Sequence, residues 1–252
     1  MSTMTSLRCE SVKKYFGGVH ALDGVSLDVS ADGITAVIGP NGAGKTTLVN
    51  VLTGFLRAEA GRCFFGDREI TRMAPHRIAR LGIARTFQDL RLIRLVSVLE
   101  NVMTARPNQS GERFLPALFR FGVAKEEETN RERAMDLLEF VGLTDKAEEA
   151  AGELSYGQQK LLTLAVCLAT EARIVLLDEP VAGVAPQMVE KILALLRTLR
   201  EKGKQIVFIE HDIESVRQVA DRVVVMDDGK VIAQGPTREV LDRPEIMEAY
   251  LG

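Results

Sequence analysis

Three stretches of this chain combine residue types suited to handling a polyphosphate. The first is Gly39-Pro40-Asn41-Gly42-Ala43-Gly44-Lys45-Thr46-Thr47, which fits the Walker A pattern of glycine, four residues and Gly-Lys-Thr. Glycines at such places let backbone N–H groups turn inward around phosphate oxygens, where a Cβ would block the approach or forbid a positive φ. A helix starting behind the loop adds orphan N–H donors and the positive end of its dipole. In that arrangement Lys45 reaches the β- and γ-phosphates and the Thr46 hydroxyl binds Mg²⁺. The second stretch is Ile174-Val175-Leu176-Leu177-Asp178-Glu179-Pro180, an apolar run ending in two carboxylates. Asp178 suits Mg²⁺, through water, and Glu179 suits a general base that takes a proton from an attacking water. The third, Leu154-Ser155-Tyr156-Gly157-Gln158-Gln159-Lys160, reads as a helix start, with Ser155 as N-cap and Gly157 letting the backbone close on an anion.

These stretches need a scaffold, and the pattern of the chain supplies one. Ile34–Ile38 is a short β-branched run ending at Gly39, and a helical stretch follows from Gly44 to about Leu56. Strand, glycine turn and helix make a phosphate-binding α/β unit. Leu7–Lys14, Ala21–Val29 and Cys63–Ile70 read as further strands separated by glycine-rich turns. From about Asp89 to Thr170 strong strand runs are missing. There Leu137, Leu138 and Val141 fall at helical spacing, and Pro107, Pro116 and Gly122 punctuate the segment. Alternation returns afterwards, with Ile174–Leu177 and Gln205–Ile209 as buried strands. Between them Val189–Leu199 is an amphipathic helix, and Gly203 suits its C-terminal end. Arg222–Met226 and Lys230–Gln234 flank Asp227-Asp228-Gly229, a hairpin signal. Strands alternating with helices predict an α/β fold with a mainly parallel sheet, whose ligands bind at the C-terminal ends of the strands.

Composition narrows the function classes. The chain has 252 residues, 46% hydrophobic and 27% charged, with a formal net charge of -3, which argues against a nucleic-acid partner. Cys9, Cys63 and Cys167 are odd in number and far apart, so neither a disulfide framework nor a zinc site is expected, and Cys167 reads as buried filler. Met1–Ser11 lacks an apolar signal core, and no apolar stretch reaches the roughly 18 residues that span a bilayer. A membrane role would therefore come through a partner.

With its order preserved, the Leu154–Lys160 segment between the other two motifs resembles the signature of the ABC ATPases, Leu-Ser-Gly-Gly-Gln. Tyr156 stands where the common pattern has glycine. The resemblance implies an α/β P-loop ABC ATPase fold: a mainly parallel core with an antiparallel β subdomain (residues 1–88 and 171–252) and an inserted helical subdomain (89–170). It further implies ATP and Mg²⁺ as cofactors and a head-to-tail dimer with a second ABC ATPase subunit. In that dimer Ser155, Gly157 and Gln158 face the γ-phosphate held by the partner. Gln88 is similar to the glutamine that senses Mg²⁺ and the permease, and His211 to the switch histidine that contacts γ-phosphate. Phe16 matches the aromatic that stacks on adenine, with Tyr15 as the neighbouring alternative. Ala185 occupies a place where many relatives carry Asp or Asn, a loss that removes a polar contact across the dimer.

Further stretches resemble the Liv-type importers of branched-chain amino acids, and their G-type ATPase subunit in particular. They are Phe16-Gly17-Gly18 with Ala21–Ser26, Asn50–Phe55, Gly82–Gln88, Val98–Val102 and the terminal Ala249–Gly252. No regulatory domain is expected beyond Tyr250. ATPases for urea uptake and lipopolysaccharide export share several of these stretches, and a soluble ABC ATPase is the other alternative. The expected setting is the cytoplasmic face of the inner membrane, with integral permease subunits and, indirectly, a solute-binding protein as partners.

Overall fold

The structure is a computed structural model and describes residues 6–29, 33–107 and 123–246. Pro116, Gly122 and the Ala249–Gly252 stretch lie outside these residues, as does the start of Met1–Ser11. In chain order the elements are β1 (Leu7–Phe16), β2 (Val19–Val29), β3 (Ile34–Ile38), α1 (Lys45–Leu52), β4 (Ala60–Phe65), β5 (Arg68–Glu69), α2 (Pro75–Arg80) and β6 (Ile83–Arg85). There follow α3 (Val98–Thr104), α4 (Val123–Val141), α5 (Tyr156–Ala169), β7 (Ile174–Asp178), α6 (Pro186–Glu201), β8 (Gln205–Ile209), α7 (Ile213–Val219), β9 (Arg222–Asp227), β10 (Lys230–Pro236) and α8 (Thr237–Leu241). The chain divides into two compact units. One comprises Met1–Arg85, Arg173–Ala182 and Val189–Gly252, the other Thr86–Ala172 and Gly183–Met188.

The first unit holds two sheets. A six-stranded sheet runs β10-β9-β3-β8-β7-β6, with every pairing parallel except that of β10 on β9. Every residue of β3, β7 and β8 is buried. Strands covered on both faces favour apolar side chains, and four of the five residues in each of these strands are apolar, the exceptions being Thr35, Asp178 and Gln205. A four-stranded antiparallel sheet, β2-β1-β4-β5, makes the second layer. Leu7, Val12 and Leu27 from that layer share one core with Leu48 and Leu52 of α1 and with Val37, Leu176 and Ile209 of the main sheet. Fully burying side chains of this size is worth about 1.5–3 kcal/mol each before entropy is counted.

Several boundaries differ from the sequence reading for local reasons. β1 continues to Phe16 because the chain reverses directly at Gly17-Gly18. The single strand read at Cys63–Ile70 is broken into β4 and β5, since Gly66-Asp67 makes a hairpin turn there. The helix read from Gly44 to Leu56 is shorter: Gly44 is its left-handed N-cap and Thr53 its C-cap. β6 carries only Ile83, Ala84 and Arg85 and is too short to show a period. The end of α6 and the last hairpin fall where the pattern puts them. Gly203 N and Lys204 N close the end of α6 by donating to Arg200 O and Leu199 O. Asp228 and Gly229 both take positive φ in the β9–β10 turn, the geometry of the tightest hairpins.

In the second unit α3, α4 and α5 pack on one another. Ser97 caps α3 in a reciprocal pair with Glu100, and the buried Arg106 joins Asn130 to Glu171. Leu138 and Val141 of α4 are buried. Asn101 is buried too, and its side-chain amide bonds Ile93 N, Ile93 O and Ser97 O, which fixes the loop ahead of α3. Among the described residues no helix is long and apolar enough to cross a membrane.

Candidate functional site

The strand order explains why distant sequence positions meet. β8 lies between β3 and β7, so three neighbouring strands end at one edge of the sheet. The loop Gly39–Gly44 leaves β3, Asp178 ends β7 with Glu179 after it, and Glu210 and His211 follow β8. Strands about 4.8 Å apart put the first and third of these within about 10 Å.

The loop after β3 is shaped by close backbone approach. A Cβ at Gly39 would lie 2.1 Å from Met226 O, and one at Gly44 would lie 2.3 Å from Ala21 O, with φ of +95° besides. Ala43 is buried beneath the loop, whereas Pro40, Asn41, Gly42 and Thr46 are exposed. The β9–β10 turn braces the loop from outside, with Gly229 N donating to Ala43 O. Lys45 Nζ donates to Gly39 O at 2.7 Å and to Pro40 O at 2.8 Å. Burial pushes the Lys45 ammonium below its usual range, and the negative charges of Glu179 and Asp178 offset part of that. The lysine thus stands close to both carboxylates at the mouth of the loop.

Asp178 and the Thr46 hydroxyl are hard oxygen donors of the kind Mg²⁺ takes. Together with the glycine-lined loop, Lys45 and the N-terminus of α1 behind it, they fit a magnesium-bound triphosphate. Asp178 also meets Arg85 of β6, a contact the sequence reading did not single out. Arg85 Nη2 is 3.4 Å from Asp178 Oδ2, and Arg85 Nη1 reaches Asn50 Oδ1 at 2.6 Å and Thr53 Oγ1 at 3.2 Å. Both side chains of the ion pair are nearly closed to solvent, so removing either would strand a buried charge.

Glu179 takes a left-handed φ of +47°, rare for a residue with a side chain and a form of strain that gathers at functional sites. His211 is half exposed, with Nδ1 3.9 Å from Glu179 Oε1 and 3.9 Å from Glu210 Oε2. Asp212, next to it, caps α7 through Glu214 N and Ser215 N. Glu210 was not foreseen: its side chain is 1% exposed, and its Oε1 accepts from Val181 N and its Oε2 from His211 N. Burial pushes its carboxyl up, against the pull of those two amides and of His211. The only sequence cue was its place after an apolar strand and before a histidine.

Phe16 closes β1 beside the turn. It is 45% exposed, and the Lys14 ammonium sits 5.0 Å above its ring. Tyr15, the alternative, is engaged with the His20 ring at a centroid distance of 4.4 Å.

The remaining expected residues belong to the second unit. Gln88 is exposed in irregular chain after β6. Ser155 is the N-cap of α5, and Gln158 Oε1 accepts from Ser155 N at 2.9 Å in return. A Cβ at Gly157 would sit 3.0 Å from Met188 Cγ. Tyr156 is half exposed, with Lys160 Nζ 5.6 Å from its ring centroid. Its edge packs over Gly183, where an added Cβ would lie 3.3 Å from the ring. Ala185 is exposed and its carbonyl accepts from Met188 N in the first turn of α6. A groove of about 540 Å³ in this unit is lined by Ile93, Val96, Met103, Glu100, Glu127 and Arg131, among others.

Comparison with known proteins bears on the chain as a whole. The family described as "ABC transporter" matches residues 22–182. The chain is 41% identical to a "Probable branched-chain amino acid transport ATP-binding protein LivG" of Methanocaldococcus jannaschii, over 99% of this chain and 98% of that one. It is 40% identical to the "High-affinity branched-chain amino acid transport ATP-binding protein BraF" of Pseudomonas aeruginosa, over 94% of each. Among solved structures it resembles the ADP conformation of an ATP-binding cassette of an ABC transporter, 40% identical, with a TM-score of 0.84 and coverage of 99% and 100%.

Proposed function

Because the chain belongs to the ABC transporter family of ATP-binding cassettes, we propose that it is the ATP-hydrolysing subunit of an importer of branched-chain or other hydrophobic amino acids. The observation that carries this reading is the strand order β3-β8-β7, which gathers the phosphate loop, Asp178, Glu179 and His211 at one sheet edge. The names of relatives that match almost end to end support the amino-acid cargo. Cargo specificity is otherwise outside the reach of this site, since an ATPase subunit works through its permease.

In the proposed cycle the loop Gly39–Thr47 binds the triphosphate of ATP, with Lys45 against its β- and γ-oxygens and Phe16 stacked on adenine. Thr46, Asp178 and Gln88 would hold Mg²⁺, which supplies charge neutralisation on the phosphates. Glu179 orients a water for in-line attack on the γ-phosphorus and accepts its proton. His211 donates a hydrogen bond to the γ-phosphate as charge develops. Two cassettes face each other head to tail, and Ser155, Gly157 and Gln158 of each complete the other's site. The whole chain acts as one ABC ATPase domain at the cytoplasmic face of the inner membrane. There the segment Gln88–Leu99 and the neighbouring groove engage an integral permease, and a solute-binding protein acts upstream of it.

Purification of the intact membrane complex, followed by ATPase assays with leucine, other amino acids and urea, tests the reading. Stimulation by branched-chain amino acids is expected. Stimulation by urea alone would reassign the cargo, and an ATPase that never co-purifies with a membrane partner would overturn the transport role.

A further inference from the structure

We propose that Glu210 is a positioning residue for hydrolysis, tying the turn that carries Glu179 to the loop that carries His211 through their backbone amides. The parallel ladder between β7 and β8 runs out at Asp178 and Ile209, where Glu179 N makes its last contribution by donating to Ile209 O at 3.0 Å. It cannot continue in register, because Glu179 turns into the left-handed region and Pro180 has no N–H to give. Glu210 takes over where the ladder stops. Its Oε1 accepts from Val181 N at 3.0 Å and its Oε2 from His211 N at 3.2 Å, one oxygen for each segment.

No other side chain of this length does the same work. A glutamine has a single acceptor oxygen, and its NH₂ would face one of the two amides donor to donor. Charge-assisted bonds are about twice as strong as neutral ones. That strength suits a turn holding a residue with a side chain at positive φ, a conformation that persists only when its surroundings enforce it. The imidazole itself does not set the spacing, since His211 Nδ1 lies 3.9 Å from each carboxylate, beyond hydrogen-bond length. The geometry between base and histidine therefore comes from the main chain that Glu210 holds.

This inference rests on the proposed function, and its test has one readout that does not. In the full chain with its permease, E210Q is expected to lower kcat by about tenfold or more while KM for ATP stays within about twofold, as misplacement of a base predicts. In the full chain without nucleotide, the ring ¹⁵N resonances of His211 should move in E210Q while those of His20 and His76 hold. Wild-type kcat in E210Q would overturn the proposal, as would unmoved His211 resonances. So would a fall in kcat matched by an equal loss of ATP affinity, which would indicate general loosening. Should E210Q fail to fold, E210D keeps both oxygens but draws them back by one methylene. Its kcat is expected below wild type, and a wild-type value would again overturn the assignment. Undiminished hydrolysis in E179Q would remove the general-base reading instead, and the His211 resonances would still report on the tie.

Discussion

Two helix starts in this molecule offer the same physical resource and treat it differently. Every helix begins with about four N–H groups that lack an intrahelical partner. At α1 the N-cap is Gly44, with no side-chain cap and no acid in the first turn. At α5 the cap is complete, with Ser155 Oγ accepting from Gln158 N and Gln158 Oε1 accepting from Ser155 N. The first start keeps its donors for an external anion. The second is finished by its own side chains and keeps only the Tyr156 and Gly157 amides outside that reciprocal pair. On the proposed function the first would hold a phosphate by itself, and the second would serve the nucleotide of a partner cassette.

The largest effects should come from the first start and the carboxylate beside it. Lys45→Ala and Glu179→Gln should each lower ATP hydrolysis by at least about 10²-fold. They differ in a binding assay: Lys45→Ala should lose nucleotide, while Glu179→Gln should keep it and accumulate as an ATP-bound dimer on size exclusion. Normal turnover in either would break the assignment. Next comes Gly44→Ala, in which a Cβ would meet Ala21 O at 2.3 Å in a left-handed backbone. A loss of about 3 kcal/mol in denaturant unfolding is expected, and an unchanged midpoint would contradict the account of that loop. Ser155→Ala should cost only about 1 kcal/mol of helix capping. It should leave nucleotide binding by the single chain intact while slowing hydrolysis in the assembled dimer, and equal losses in both would erase the distinction between the two starts. The smallest effect is expected for Gly157→Ala, whose new Cβ meets the unbranched Met188 side chain, at 3.0 Å from Cγ and 3.2 Å from Cε. About 1 kcal/mol or less should register in the melt.

What could be read from sequence follows from how locally each feature is encoded. Gly39–Thr47, Asp178 and Glu179 were legible because glycine spacing and a carboxylate pair after an apolar strand are local signals. The parallel core was legible because β3, β7 and β8 are buried along their whole length and each is apolar at all but one position. Glu210 and Arg85 were not. The value of each depends on a neighbour far along the chain, Val181 for one and Asp178 for the other, and no local pattern marks a side chain that bonds across strands. The break at Gly66-Asp67 was missed for a related reason: the strand after the turn is only Arg68-Glu69, and its pairing with Phe65 and Phe64 depends on register. β6 fell below the length at which a period shows.

The cysteines of the described fold have a practical consequence. Cys9 and Cys63 face each other across β1 and β4, and burial pushes both thiols up to about 12; Cys167 is buried in α5. At neutral pH a thiol titrating near 12 is ionised in only about one molecule in 10⁵, so maleimide reagents, which attack the thiolate, should leave the folded wild-type chain almost unlabelled. A cysteine introduced at Leu95, which is 95% exposed, would then be the one reactive position. It would make a fluorescent reporter of whatever covers that loop, with no need for a cysteine-free background.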